Sequence, residues 1–174
     1  KPLEEEEKLP DELVVELKKG RFFGLTIPEE YGGSRLGLAE ASVIMEEINR
    51  AGGNSGACHG QMYNMNTLLH HGSEAQKNDL LPKIAAGEIR LQSMGVTEPT
   101  TGTDTTKIKT TAIRKGERYV INGQKVWISR VKYSDLMILL ARTTPLEQVE
   151  KKSQGLSIFL VDIHDAVKSG MSVR

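Results

Sequence analysis

Residues 94–104 have the sequence Met-Gly-Val-Thr-Glu-Pro-Thr-Thr-Gly-Thr-Asp, and they divide the chain into two parts with different hydrophobic periodicity. Before this stretch, apolar residues recur three and four positions apart, as on one face of an α-helix. After it, short apolar runs are separated by turn residues, as in antiparallel strands. We therefore predict an α+β chain, with an N-terminal helical domain over residues 1–90 and a small antiparallel β-barrel or sandwich domain, itself incomplete, over residues 91–174.

The helical part is predicted to contain four helices, over residues 10–19, 38–50, 55–71 and from residue 73 onward. Pro10 suits the first turn of the first helix, and Gly20 suits its end. Ser73 and Gln76 have the spacing of a capping box at the start of the fourth helix. The residues expected to face the core are Leu9, Leu13 and Leu17 in the first helix, Leu38, Ala41, Met45 and Ile48 in the second, and Met62, Met65, Leu68 and Leu69 in the third.

The second part is predicted to contain five strands, over residues 106–114, 118–121, 124–129, 136–141 and 156–162. Asn122-Gly123 is the strongest hairpin signal in the chain. This dipeptide favours a tight type I′ turn, which would join the second of these strands to the third.

Composition excludes several classes of function. Lysine plus arginine and aspartate plus glutamate each number 23, so the chain lacks the excess of positive charge that is typical of nucleic-acid-binding proteins. No apolar run approaches the ~20 residues needed to span a bilayer. The single cysteine, Cys58, excludes an internal disulfide and is interpreted as a small buried hydrophobe. The chain begins at Lys1, which predicts a natural N-terminus further upstream and leaves a targeting peptide undetermined.

The loop at residues 97–104 carries the densest group of polar turn residues. Pro99 and Gly102 force an irregular turn, which leaves backbone amides unpaired and available to a ligand. Its threonines add hydroxyls that either contact a ligand or only satisfy their own turn. No lysine follows Gly102 in the register of a phosphate-binding loop, and the chain contains no G-x-G-x-x-G motif.

Two segments here resemble signatures of the acyl-CoA dehydrogenase family. Residues 96–104 (VTEPTTGTD) resemble the family pattern V-T-E-P-x-x-G-[ST]-D, and residues 122–129 (NGQKVWIS) are similar to its N-G-x-K-x-W-I-[ST]. Residues 28–33 (PEEYGG) and 76–88 also match family segments, in the expected order. The resemblance covers nearly everything from residue 13 to residue 174.

This resemblance implies FAD as cofactor and the oxidation of an acyl-CoA thioester to its trans-2-enoyl-CoA. It also implies an electron-transfer flavoprotein as electron acceptor, and a dimer or tetramer of identical full-length chains in the bacterial cytoplasm or mitochondrial matrix. The family's catalytic glutamate lies in a C-terminal helical domain, beyond Arg174. This piece is therefore expected to lack the catalytic base and to be inactive alone.

The resemblance also assigns roles to individual residues. Thr97 and neighbouring amides would hydrogen-bond the polar edge of the flavin ring, and Trp127 would cover the ring face away from the substrate. The Ser129 hydroxyl would reach the nitrogen that accepts hydride, and Thr103 would contact the thioester. The expected flavin contacts are Met94, Gly95, Val96, Thr97, Glu98, Gly102, Thr103, Trp127, Ile128 and Ser129. Residue chemistry alone instead favours Trp127 as a core aromatic.

The chain departs from the family pattern at two places. Thr100-Thr101 stands where the family commonly has Gly-Ala, and two β-branched residues stiffen and enlarge the turn. Ser129 replaces the usual threonine and keeps its hydroxyl. Glu98 lies in the loop but is interpreted as a turn partner and not as the base.

Other functions are also compatible with the sequence. Flavin monooxygenases and nitroalkane-oxidising enzymes have the same architecture, and a truncated module serving only in binding or at an interface would keep these domains. A metal site is not expected, because His59, His70 and His71 lack the i, i+4 spacing of helical metal ligands.

Overall fold

The computed structural model describes residues 10–173. They form two compact units, residues 10–92 with 132–135, and residues 93–131 with 136–173. The predicted order, helices first and a sheet second, is confirmed. The domain boundary between residues 90 and 91 stays a prediction. No helix within the described residues has the length and apolar character needed to cross a bilayer.

The four predicted helices are present in the described chain. They are α1 (Asp11–Lys19), α2 (Leu38–Arg50), α3 (Gly56–His71) and α4 (Glu74–Ala85). At the start of α4, the Ser73 hydroxyl accepts a hydrogen bond from the Gln76 amide at 3.2 Å, and the Gln76 side chain accepts one from the Ser73 amide at 2.9 Å. The predicted capping box is therefore confirmed.

Helix α3 has more buried residues than any other helix of the first unit, which contains residues 10–92. Met62, Met65 and Leu68 are buried as predicted, and Leu69 is half-buried. The large buried polar side chains Gln61 and Asn64 lie on the same helix.

The buried faces of α1 and α2 differ from the prediction. In α1, Val14 is buried and Leu13 is exposed, while Leu9 lies outside the described residues. In α2, Ala41 packs with Leu25 and Met62, and Ile44 and Met45 border this cluster. Ala41 and Met45 therefore face the core as predicted, whereas Leu38, at the first residue of the helix, is 72% exposed and Ile48 is half-buried.

The described sheet has five strands, β1 (Leu91–Gly95), β2 (Thr111–Lys115), β3 (Arg118–Asn122), β4 (Leu136–Arg142) and β5 (Leu156–Asp162). Their order is β1-β4-β2-β3, and β5 also pairs with β4. The pairs β2–β3 and β4–β5 are antiparallel, while β2–β4 is parallel. The sheet is thus mixed and open, whereas a small antiparallel barrel or sandwich was expected. The parallel pair arises because β4 lies beside β2 instead of beside β3.

The hairpin prediction at Asn122-Gly123 is wrong, and so is the strand predicted over residues 124–129. The tight turn is the two-residue loop between β2 and β3, which begins at Gly116 with φ +62°. A Cβ on Gly123 would lie 2.3 Å from Thr110 Oγ1. Glycine is therefore required at Gly123 for close approach to a neighbouring segment, not for a turn.

Two elements of the second part were not predicted. Strand β1 lies just before the Thr-rich loop, and helix α5 (Ile163–Lys168) follows β5 directly. Asp162 caps α5, because its carboxylate accepts a hydrogen bond from the Asp165 amide at 2.9 Å. The first predicted strand is also shorter than expected, since residues 105–107 form a 3₁₀ turn.

Candidate functional site

Glu98 organises the loop that follows β1. Its side chain is 4% exposed, and both carboxylate oxygens accept hydrogen bonds from the chain itself. The amides of Lys109 and Thr110 donate at 2.6 and 2.9 Å, and the Thr110 hydroxyl donates to the same oxygen as the Thr110 amide. Lys125 Nζ lies 3.0 Å from this oxygen and is itself 10% exposed. A buried carboxylate with this many partners holds its neighbours in place.

The charge state of Glu98 follows from these contacts. Burial acts to raise the pKa of Glu98, but hydrogen bonds from Thr110, Lys109 and Lys125 outweigh it and lower the pKa to about 2. Burial lowers the pKa of Lys125, and Glu98 opposes that effect. Glu98 is therefore ionised at neutral pH and too weak a base to remove a carbon-bound proton.

The turn within the loop is closed by Glu98 and Thr101. The Glu98 amide donates to the Thr101 carbonyl at 2.9 Å, and the Thr101 amide donates back at 3.1 Å. Thr101 is buried, and its hydroxyl donates to the Lys107 carbonyl at 3.3 Å. Thr101, one of the two departures from the family pattern, thus serves the loop itself, while Thr100 beside it is exposed.

The loop is held against the segment that carries Trp127. The Val126 amide donates to the Thr97 carbonyl at 3.0 Å, and Lys125 Nζ donates to the Val96 carbonyl at 2.9 Å. The structure thereby brings together the two segments that were singled out in the sequence. The Thr97 side chain is half-buried, and its amide and hydroxyl have no hydrogen-bond partner among residues 10–173.

Trp127 projects from this junction. It is 90% exposed, so the alternative that it is a core aromatic is wrong. Its backbone has φ +60°, a region that bulky residues rarely occupy and that clusters at functional sites. The next residue, Ile128, packs on the apolar cluster of β4 and α5 that includes Met137. Ser129 is exposed, and its carbonyl accepts a hydrogen bond from the Ser93 hydroxyl at 3.1 Å.

The remaining predicted site residues lie at either end of the loop. Met94 is half-buried in β1, and Gly95 is buried, where a Cβ would lie 3.0 Å from Leu139 Cδ1. Gly95 thus allows the strand to pack closely. Gly102 and Thr103 are both exposed, and a Cβ on Gly102 would meet open space.

Sequence reasoning missed Lys125 and Arg142. Lys125 lies within the same short pattern as Trp127, and a lysine at a set position in that pattern was the available signal. Arg142 ends an apolar strand and is only 6% exposed. Its guanidinium donates to the carbonyls of Thr106 at 2.8 Å and Gln154 at 3.0 Å. Arg142 therefore ties together two loops of the second unit.

The residues at this junction fit a flat aromatic group with a polar edge. Trp127 offers an uncovered aromatic face, while the Thr97 amide and hydroxyl remain available as donors. They do not fit a metal ion: in the described part of the chain, no three His, Cys, Asp or Glu side chains are placed to hold one. A flavin ring has the required shape and chemistry.

Comparison with known proteins gives the same family for both halves of the chain. Residues 1–88 match the model described as Acyl-CoA dehydrogenase, N-terminal domain. Residues 93–174 match the model described as Acyl-CoA dehydrogenase, middle domain.

Individual relatives agree with these models. The chain is 40% identical over 141 residues to mitochondrial isovaleryl-CoA dehydrogenase from Pongo abelii, an alignment that covers 80% of this chain and 33% of the relative. It is also 40% identical over 159 residues to (2S)-methylsuccinyl-CoA dehydrogenase from Cereibacter sphaeroides, covering 90% of this chain and 28% of the relative. The crystal structure of acyl-CoA dehydrogenase from Geobacillus kaustophilus matches with a TM-score of 0.79 at 30% identity, over 88% of this chain and 40% of that one.

The chain spans about a third of the length of the first of these curated relatives. Both of its halves match domains of one family, and the match includes the loop and the tryptophan-bearing segment described above. The chain therefore belongs to the acyl-CoA dehydrogenase family of flavoprotein oxidoreductases.

Proposed function

We propose that the protein is an FAD-dependent acyl-CoA dehydrogenase that oxidises an acyl-CoA thioester to the trans-2-enoyl-CoA. One observation supports this most directly: the Val96–Glu98 loop and the Lys125–Val126 segment are bonded together, and Trp127 emerges beside them almost fully exposed. In this proposal, the described residues supply the contacts to the flavin ring and part of the contacts to the substrate.

We assign to Thr97 the hydrogen bonds to the polar edge of the flavin ring. FAD, when bound, supplies the acceptor for the hydride that leaves the β carbon of the substrate. The Thr97 amide and hydroxyl are free donors on a loop that Glu98 holds rigid. Preoriented donors of this kind stabilise electron density that develops in a site shielded from water. Glu98 itself acts through the shape of the loop, since its amide, carbonyl and carboxylate are all engaged within the unit.

The other roles follow the resemblance to the family. Trp127 covers one face of the ring, and the exposed Ser129 hydroxyl serves the nitrogen that accepts hydride. Met94, Gly95, Val96, Gly102 and Ile128 complete the surroundings of the ring. The exposed Thr103 hydroxyl contacts the thioester substrate.

Proton removal is assigned to a residue outside this sequence. Dehydrogenation requires a base for the α proton, and the resemblance places that glutamate in a C-terminal helical domain. Within the loop, Glu98 cannot take this role, because hydrogen bonds hold its pKa at about 2. The 174-residue chain alone is therefore proposed to be inactive.

Partners and compartment are also assigned by the resemblance. We propose an electron-transfer flavoprotein as acceptor and a dimer or tetramer of identical full-length chains. The bacterial cytoplasm and the mitochondrial matrix are the proposed compartments, and one of the relatives carries a mitochondrial name.

The full-length gene product tests the proposal. It is expected to purify with one FAD per protomer, and an acyl-CoA added without oxygen should bleach the flavin absorbance and give the enoyl-CoA by mass spectrometry. Isovaleryl-CoA and glutaryl-CoA are suitable first substrates, because relatives named for both are similar to this chain. Oxygen insertion into the substrate would instead identify a monooxygenase, and failure to take up flavin would favour a binding module.

A further inference from the structure

The Lys125 side chain contacts the peptide group that joins Val96 to Thr97, on the side of its carbonyl oxygen. Its Nζ donates to the Val96 carbonyl at 2.9 Å and to Glu98 Oε1 at 3.0 Å. The Thr97 amide N–H belongs to that same peptide group, and it has no partner among the described residues. The carbonyl of this peptide group thus accepts a hydrogen bond from a largely shielded cation, while its N–H remains available as a donor.

The contact has an electrostatic consequence. A cation that donates to a carbonyl oxygen polarises the whole peptide group and makes its N–H a stronger donor. The effect is largest where water is excluded, and the Lys125 side chain is only 10% exposed.

The other lysine–acid pairs of the described chain differ in kind. Lys19–Glu16, for example, is a local pair three residues apart, with both side chains about two-thirds exposed. Such surface pairs contribute little. Lys125 and Glu98 are 27 residues apart in the sequence, and their side chains are only 10% and 4% exposed, so their pairing joins two segments of the fold.

We propose that Lys125 is a positioning residue for the flavin, one that fixes and polarises the Val96–Thr97 peptide so that the Thr97 amide stabilises the reduced ring. Glu98 holds Lys125 in place and balances its charge. The inference rests on the proposed flavin function and goes beyond it, because it assigns control of the flavin's reduction potential to a side chain that does not touch the ring.

The test compares two substitutions that remove opposite charges of the same pair. In the full-length FAD-loaded protein, Lys125→Met should make the flavin reduction potential more negative and raise the FAD Kd roughly tenfold, the loss of about one charge-assisted hydrogen bond. Glu98→Gln removes the negative charge but keeps a side-chain oxygen that accepts from Lys125, so the cation stays on the Val96 carbonyl. It should reduce stability to urea yet leave the potential unchanged or more positive.

Two further variants serve as controls. Lys125→Arg keeps the charge and the donors and should restore most of the wild-type potential. Lys115→Met removes an exposed positive charge at the β2–β3 turn and should change neither the potential nor the Kd.

The outcomes separate the inference from the function on which it rests. A wild-type protein that takes up no flavin would contradict the proposed function. A flavin-loaded wild type with the same potential as Lys125→Met would overturn only the inference. A shift of Lys125→Met and Glu98→Gln in the same direction would also overturn it, because the pair would then act only by holding the loop. If Lys125→Met does not fold, Lys125→Gln, which keeps a donor but no charge, replaces it under the same criteria.

Discussion

At the scale of single residues, Trp127 combines nearly full exposure with a left-handed backbone. We expect its fluorescence to be strongly quenched in the full-length protein with FAD bound, and to recover when the flavin is released. The reason is that a stacked flavin accepts the excitation energy of the indole. The emission difference between wild type and Trp127→Phe isolates this signal. Equal Trp127 emission with and without FAD would place the ring elsewhere.

Thr97 is the residue-scale test of the proposed polar edge. Thr97→Val removes a hydroxyl that has no partner within the described chain, so folding should be unaffected. The flavin should bind more weakly by about 0.5–1.5 kcal/mol, the value of one hydrogen bond. Titration of the apoprotein with FAD measures the Kd. Thr100→Val, at an exposed position of the same loop, is the matched control. An unchanged Kd for Thr97→Val would count against the assigned contact.

The low pKa of Glu98 predicts how the free energy of unfolding depends on pH. Its folded pKa is about 2 against an ordinary value of 4.5, so the unfolded chain binds more protons between these values. The stabilisation is therefore complete above about pH 4.5 and is lost as pH falls toward 2, amounting to about 3 kcal/mol. Urea unfolding between pH 3 and pH 6 should show this slope.

Two variants check the source of that slope. Glu98→Gln should flatten it, whereas Glu117→Gln should leave it unchanged, because the Glu117 side chain is 96% exposed. A slope that survives in Glu98→Gln would assign the pH dependence to other carboxylates.

At the scale of elements, two glycines of the second unit, the β unit (residues 93–131 with 136–173), have different structural roles. Gly116 has φ +62° in the β2–β3 turn, with open space around a Cβ, so Gly116→Ala should cost about 1 kcal/mol of conformational strain. A Cβ on Gly123 would lie 2.3 Å from Thr110 Oγ1 and 2.7 Å from its Cα. Gly123→Ala must therefore displace Thr110, which holds Glu98, and should cost more than ~2 kcal/mol.

Urea denaturation of the two alanine variants compares them directly. Gly123→Ala should also weaken FAD binding in the full-length protein, since the loop shifts, while Gly116→Ala should not. Equal losses of stability in Gly116→Ala and Gly123→Ala would mean that position 123 tolerates a side chain. Thr110 and Gly123 would then lie further apart in solution.

At the scale of the whole molecule, the apolar stripe of α3 offers little surface for association, because Met62, Met65 and Leu68 are buried within the chain itself. The exposed apolar residues lie mainly on other elements. In the β unit, Ile113 and Val120 are paired across β2 and β3 and are 58% and 48% exposed. Contiguous exposed apolar side chains on a sheet favour association.

We therefore expect the isolated 174-residue chain to self-associate through this strand pair. Sedimentation velocity over a range of concentrations should show the association, and the double variant Ile113→Thr/Val120→Thr should reduce it while keeping β propensity. Arg114→Thr, on the same strand, is the control. A monomer at every concentration would show that the exposed pair is tolerated.

Local interactions allowed much of this architecture to be predicted from the sequence alone. The four helices, the capping box at Ser73 and the strands β4 and β5 depend on neighbours a few residues away, so periodicity and turn chemistry were sufficient. The family patterns likewise lie in two short segments. What the tertiary structure decided depends on residues distant in sequence. Gly123 is glycine because Thr110 approaches it, and Glu98 is paired with Lys125 across 27 residues. The mixed, open sheet follows from β4 lying beside β2, a choice that no local pattern encodes.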